Sequence, residues 1–89
     1  MENIKNELMQ AGIAGWINNI HGGGISFSRK ATVMNRLVGH EVQVDGTVSI
    51  LPAEDGTFTI NVYAITRPGR MNLVSSTEGI AADQIIAQF

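Results

Sequence analysis

Apolar and polar positions along the chain follow a helical period at the N-terminus and a strand period in the middle. Over residues 3–20, Ile4, Leu8, Ala11 and Gly15 fall on one narrow stripe, and Met9, Ile13, Trp16, Ile17 and Ile20 on a second, bulkier one. Asn3, Asn6, Glu7, Gln10 and Asn18 occupy the remaining face. The spacing predicts a helix that runs to Ile20, with His21 and Gly22-Gly23-Gly24 as its stop, because glycine accommodates the left-handed conformation after a last turn. Two stripes cover a wider arc than packing on one core requires. Either the helix lies deep in its own domain, or one stripe packs at home and the other on a second subunit. Gly12 and Gly15 are unfavourable inside a helix, which a close backbone approach would explain.

After a short alternating stretch, Ile25–Phe27, a second helix is expected from Ser28, a good N-cap residue, to about Val38, with Gly39 as its stop. Val33, Met34, Leu37 and Val38 give it an apolar face; Arg29, Thr32 and Arg36 line the opposite one. The period then changes. Val42, Val44, Val48 and Ile50 share one parity, with Gln43, Thr47 and Ser49 on the other. Asp45-Gly46 is either a two-residue hairpin turn or a bulge within one long strand, and the unbroken parity favours the strand. Pro52–Gly56 reads as a turn, after which Phe58, Ile60, Val62 and Ala64 return along the same face. Arg67-Pro68-Gly69-Arg70 turns again, into a third strand at Met71–Ser75. Ser75 and Glu78 have the spacing of a capping box for a last helix ending at Phe89, with Ala81, Ala82, Ile85, Ile86 and Phe89 on one stripe. The expected architecture is α+β: a three-stranded antiparallel β-meander with an N-terminal helix, a short second helix and a C-terminal helix packed on one face, residues 1–89 forming a single compact domain.

Composition narrows the function classes. Charged residues make up 16% of the 89 residues, against about 25% in ordinary domains, so a surface poor in charge is available for burial against another chain. The net charge of −2 argues against general nucleic-acid binding, which relies on many Lys and Arg to neutralise phosphates. With no cysteine, disulfides and thiolate zinc sites are ruled out. The first residues lack the basic start and apolar core of a signal peptide, and no apolar run approaches the ~20 residues of a membrane span. A soluble cytoplasmic protein is expected.

Catalytic signals are nearly absent. Gly24–Ser28 lacks the closing glycine of a nucleophile elbow, and Gly22–Phe27 lacks the third glycine of a dinucleotide fingerprint. His21 and His40 fit no metal-binding spacing, so no metal and no cofactor is expected. Glu54 and Asp55 sit in a turn, where acidic residues form local hydrogen bonds. One constellation has chemistry: Gly22, Gly23, Gly24, Ser26, Ser28, Arg29 and Lys30 form a glycine loop and a helix start, which together favour an anion. Arg36 lies one heptad beyond Arg29 on the same helical face. Arg67 and Arg70 join only if their turn folds nearby.

Two functions follow as expectations. The first is a non-enzymatic protein-interaction module, homo-oligomeric through Met9, Ile13, Trp16, Ile17 and Ile20, in the style of small accessory or inhibitor proteins of bacteria and their phages. The alternative is a small-molecule binder that holds a nucleotide or other phosphate-bearing anion at the glycine loop.

Overall fold

The computed structural model describes all 89 residues, Met1–Phe89. One α-helix, α1 (Glu2–Gln10), is followed by seven strands: β1 (Asn18–Asn19), β2 (Ile25–Ser28), β3 (Ala31–Asn35), β4 (His40–Val44), β5 (Gly46–Pro52), β6 (Phe58–Arg67) and β7 (Arg70–Ile80). Short 3₁₀ turns lie at His21–Gly23, Ala82–Gln84 and Ile86–Gln88. The strands form a five-stranded antiparallel sheet in the order β1-β2-β5-β6-β7 and a separate two-stranded sheet, β3-β4. The chain is thus a compact α+β domain, but not a three-stranded meander.

The core lies on one face of the large sheet. Ile25 and Phe27 of β2 stand opposite Ile50 and Val48 of β5, and with Ile60 they are covered by Ile4 and Leu8 of α1, Ala14 and Ile85. Phe89 packs against Phe27 edge to face, with ring centroids 5.7 Å apart. The parity read for Val48, Ile50, Ile60 and Ala64 is the buried parity.

Three expected helices are corrected. The first ends at Gln10, because Gly12 takes a positive φ of 74°. The N–H of Gly12 donates to the carbonyl of Met9, and that of Ile13 to the carbonyl of Leu8. This pair of bonds is a Schellman motif, and Leu8 and Ile13 supply its accompanying apolar contact. Gly12 is a helix stop, and the space beside both Gly12 and Gly15 is open, so neither glycine serves a close approach within the chain.

The expected second helix, Ser28–Val38, is instead the end of β2, all of β3 and the turn after it. Asn35 organises that turn: its side-chain oxygen accepts hydrogen bonds from the N–H groups of Leu37 and Val38. Gly39 closes it at a positive φ. Val33 faces Val42 across the hairpin, and Thr32 faces Gln43, so β-branched cross-strand pairing prevails over a helical stripe of similar spacing. The third helix is displaced because β7 continues to Ile80. Ser75 and Glu78 are strand residues, and the Ala81–Phe89 stripe docks through two 3₁₀ turns with Ile85 fully buried.

The segment around Gly46 is neither a hairpin turn nor a bulge in one strand. It is a bend where one long hairpin passes from the small sheet to the large one. Ala31 opposite Val44 and Ser28 opposite Thr47 belong to one continuous register. At the bend the N–H of Arg29 donates to the Gly46 carbonyl, and the N–H of Ile65 to the Asp45 carbonyl. A Cβ at Gly46 would lie 2.6 Å from the Tyr63 carbonyl oxygen and 2.7 Å from that of Arg29. Only glycine fits there.

Candidate functional site

The most accessible feature is β7. It pairs with β6 on one side and with nothing on the other, and ten of its eleven residues are exposed. Opposite β6 it turns Asn72, Ser75 and Thr77 toward the same face as Ala64, Val62 and Ile60. Met71 and Leu73 share the other face with Ile65 and Tyr63. The register shifts between Val62 and Tyr63, leaving Val74 as an extra residue in β7, and again between Phe58 and Ile60, where Gly79 has a positive φ. Such bulges increase strand twist. Met71, Leu73 and Val74 remain large apolar side chains in solvent, Leu73 at 57% of its full exposure.

Charge is distributed unevenly along this edge. Arg67 and Arg70 face each other beside the Pro68-Gly69 turn. Glu78 lies near the far end of β7, where Ile80 pairs with Phe58 and Phe58 in turn with Pro52. Glu54 and Asp55 belong to the β5–β6 turn at that same end. The edge therefore has a basic end and an acidic end. Asp55 accepts hydrogen bonds from the hydroxyl and N–H of Thr57, which hold its carboxyl below the ordinary range. Glu54, Arg67, Arg70 and Glu78 are exposed and have no ion-pair partner.

A second exposed apolar group sits at the tip of the β3–β4 hairpin, where Met34, Leu37 and Val38 are uncovered and Leu37 is 96% exposed. Met9 and Trp16 are the remaining exposed large apolar side chains. The five residues expected to form an interface do not share a stripe. Trp16, 75% exposed, stands in the loop after α1 and donates its indole N–H to the Asn18 side chain. Ile13 and Ile17 pack against the chain's own core, and Ile20 is half-buried beside Gly24. Met9 alone of the five is on the helix.

The expected anion site is also divided. Gly22 and Gly23 adopt positive φ in a tight 3₁₀ turn. A Cβ at Gly24 would come within 2.8 Å of the Ile50 carbonyl oxygen and closer still to Leu51. These glycines allow the turn and the close approach to β5. Ser26 and Ser28 lie on β2, and Arg36 stands in the β3–β4 turn, so no helix N-terminus exists to join them. Arg29 and Lys30 do come together, at the bend, where they border two hollows. One, of about 330 Å³, has Val48, Ile60 and Val62 in its lining with Ser75, Thr77, Gln88 and Phe89. The other, of about 480 Å³, is lined by Ser28, Asp45, Gly46 and Ile65 as well. The guanidinium of Arg29 lies 5.4 Å from the Phe89 ring centre and has no carboxylate partner. Lys30 forms an ion pair with Asp45, and that hydrogen bond, followed by the lysine's charge, lowers the Asp45 pKa.

Sequence reasoning missed the β7 surface and the hairpin tip. Ser75, Ser76 and Thr77 are poor helix formers, and strand pairing opposite β6 was the available signal for extending β7. No three His, Cys, Asp or Glu side chains gather in a metal-binding group. No helix is long and apolar enough to cross a membrane. The fold and its surface define a small α+β domain with a long unpaired sheet edge and a projecting hairpin. No protein-family model, no curated protein and no solved structure matches the chain.

Proposed function

We propose that this protein is a non-enzymatic protein-interaction module that works as a homo-oligomer in the cytoplasm. The observation that carries the reading is the unpaired edge of β7, with Met71, Leu73 and Val74 held in solvent along it. Backbone donors and acceptors on a free edge are a template for another strand, and natural domains usually shorten, charge or cover such edges. The low content of charged residues and the exposed tip of the β3–β4 hairpin support the same role. Accessory and inhibitor proteins of bacteria and phages are the functional style it fits. Self-association shifts from the Trp16 stripe to β7, because Ile13 and Ile17 are already committed to the core. Light scattering behind size-exclusion chromatography, run across a dilution series, tests the reading. A mass that rises with concentration supports it, and a monomer throughout overturns it.

A second reading is favoured by Arg29, a cation without a carboxylate partner between two hollows. It is that the bend holds a small phosphate-bearing anion. Calorimetric titration with inorganic phosphate tests it. Heat of binding that Arg29→Ala with Lys30→Ala abolishes, at unchanged thermal stability, supports this reading; unchanged binding overturns it.

A further inference from the structure

We infer that the partner of β7 is the β7 of a second copy, paired antiparallel about a two-fold axis near Val74. The inference rests on the self-association reading and adds its geometry. Three observations carry it.

The first is the free edge itself, exposed from Arg70 to Gly79 and apolar at Met71, Leu73 and Val74. The second is the placement of the bulge. Val74 divides β7 into two runs, Arg70–Leu73 and the longer Ser75–Ile80, each regularly paired to β6 apart from its outer end. An antiparallel copy whose two-fold axis falls between Val74 and Ser75 sets the first run of each chain beside the second run of the other, with Leu73 opposite Ser76 and Asn72 opposite Thr77, residues that share a face. This mutual exchange of i with j is what an isologous two-fold interface requires.

The third observation is charge. Arg67 and Arg70 mark one end of the edge, and Glu78 with Glu54 of the neighbouring turn marks the other. All four side chains are exposed and unpaired. Antiparallel docking places the basic end of each copy over the acidic end of its partner, so the same attraction is made twice. Parallel docking would set basic on basic and acidic on acidic, which is penalised at an interface. The charge pattern thus selects both the occupant and its direction. The product is a ten-stranded sheet through two copies of the five-stranded one.

Charge reversal tests this with the full chain. One variant carries Arg67→Glu and Arg70→Glu; another carries Glu54→Lys and Glu78→Lys. Each alone makes both contacts of its own dimer repulsive, and its self-association should weaken on the order of tenfold or more at low salt. An equimolar mixture should form the mixed dimer, because the acidic copy complements the basic one, and the four-fold variant should recover association. Thermal unfolding at high dilution confirms that each variant is folded, and all four positions are on the surface. A wild-type chain that associates while both reversed variants associate equally well would overturn the antiparallel arrangement and leave self-association standing. A wild-type chain that stays monomeric would overturn both. Hydrogen exchange gives an independent check: amides of β7 should lose protection on dilution, and β7 amides indifferent to concentration would also overturn the proposal.

Discussion

β1 and β7 are the two edges of one five-stranded sheet, yet β1 is two residues long and β7 is eleven. At the β1 edge the backbone offers few unpaired groups, two asparagines face solvent, and nearby Ile13, Ile17, α1 and Ile85 complete the core over β2 and β5. At the β7 edge every residue from Arg70 to Gly79 is exposed, and Ile80 at the far end packs against the core. Exposed β7 residues contribute little to holding the monomer together, while Phe27 and Leu8 near the opposite side are almost wholly buried. One sheet thus separates two tasks: its β1 side supplies stability and its β7 side supplies surface.

The largest expected effect lies on the stable side. Phe27→Ala should cost about 3–5 kcal/mol, measured as a shift of the urea midpoint; a loss no larger than that of Leu73→Ala would break the contrast. Next is the bend between the sheets. Gly46→Ala forces a methyl group against two carbonyl oxygens and should cost about 1–3 kcal/mol, read from thermal unfolding, whereas Gly12→Ala meets backbone strain without a clash. On the β7 side, Leu73→Ser with Val74→Ser should change monomer stability by roughly 0.5 kcal/mol or less each and still reduce the mass observed by light scattering. A large stability loss from that pair would mean that β7 belongs to the core.

The smallest effect is at Asp45. Its folded pKa is lowered by the hydrogen bond and charge of Lys30, so the stabilisation is present above the unfolded value of about 3.9 and disappears as the pH falls through the lower folded value. Both partners are exposed, and the pair is screened by salt. Asp45→Asn should lower stability slightly at neutral pH and leave it unchanged below the folded pKa, so the small acid-dependent component disappears. An acid unfolding curve compared with wild type checks it.

Part of this division was legible in the sequence. The alternation of Val48, Ile50, Ile60 and Ala64 marks the core face of β5 and β6, and the turn residues of Pro52–Gly56 and Pro68-Gly69 lie where the chain turns. Ile4 and Leu8 fell on the correct stripe. The errors came where helical and strand periods overlap. Val33, Leu37 and Val38 fit a helical face, yet Val33 is held by Val42 and the other two belong to a turn ordered by Asn35. For the candidate site, Arg29 and Lys30 are neighbours in sequence and in space, but they lie between β2 and β3 and not at a helix start. The β7 edge was hidden for a different reason. Whether a strand lies at an edge depends on sheet order, and here β2 reaches β5 across an inserted hairpin. No local spacing records that.

The uninterrupted register of that inserted hairpin has a consequence for how the chain folds. From the Asn35–Gly39 turn, rungs can close in succession through Val33–Val42 and Ala31–Val44, past the bend, to Phe27–Val48 and Ile25–Ile50. Each new rung encloses a loop only slightly longer than the last, so the loss of chain entropy comes in small steps. The exposed arm is a short-range part of the β-structure, and a place from which β2 and β5 can be zipped together.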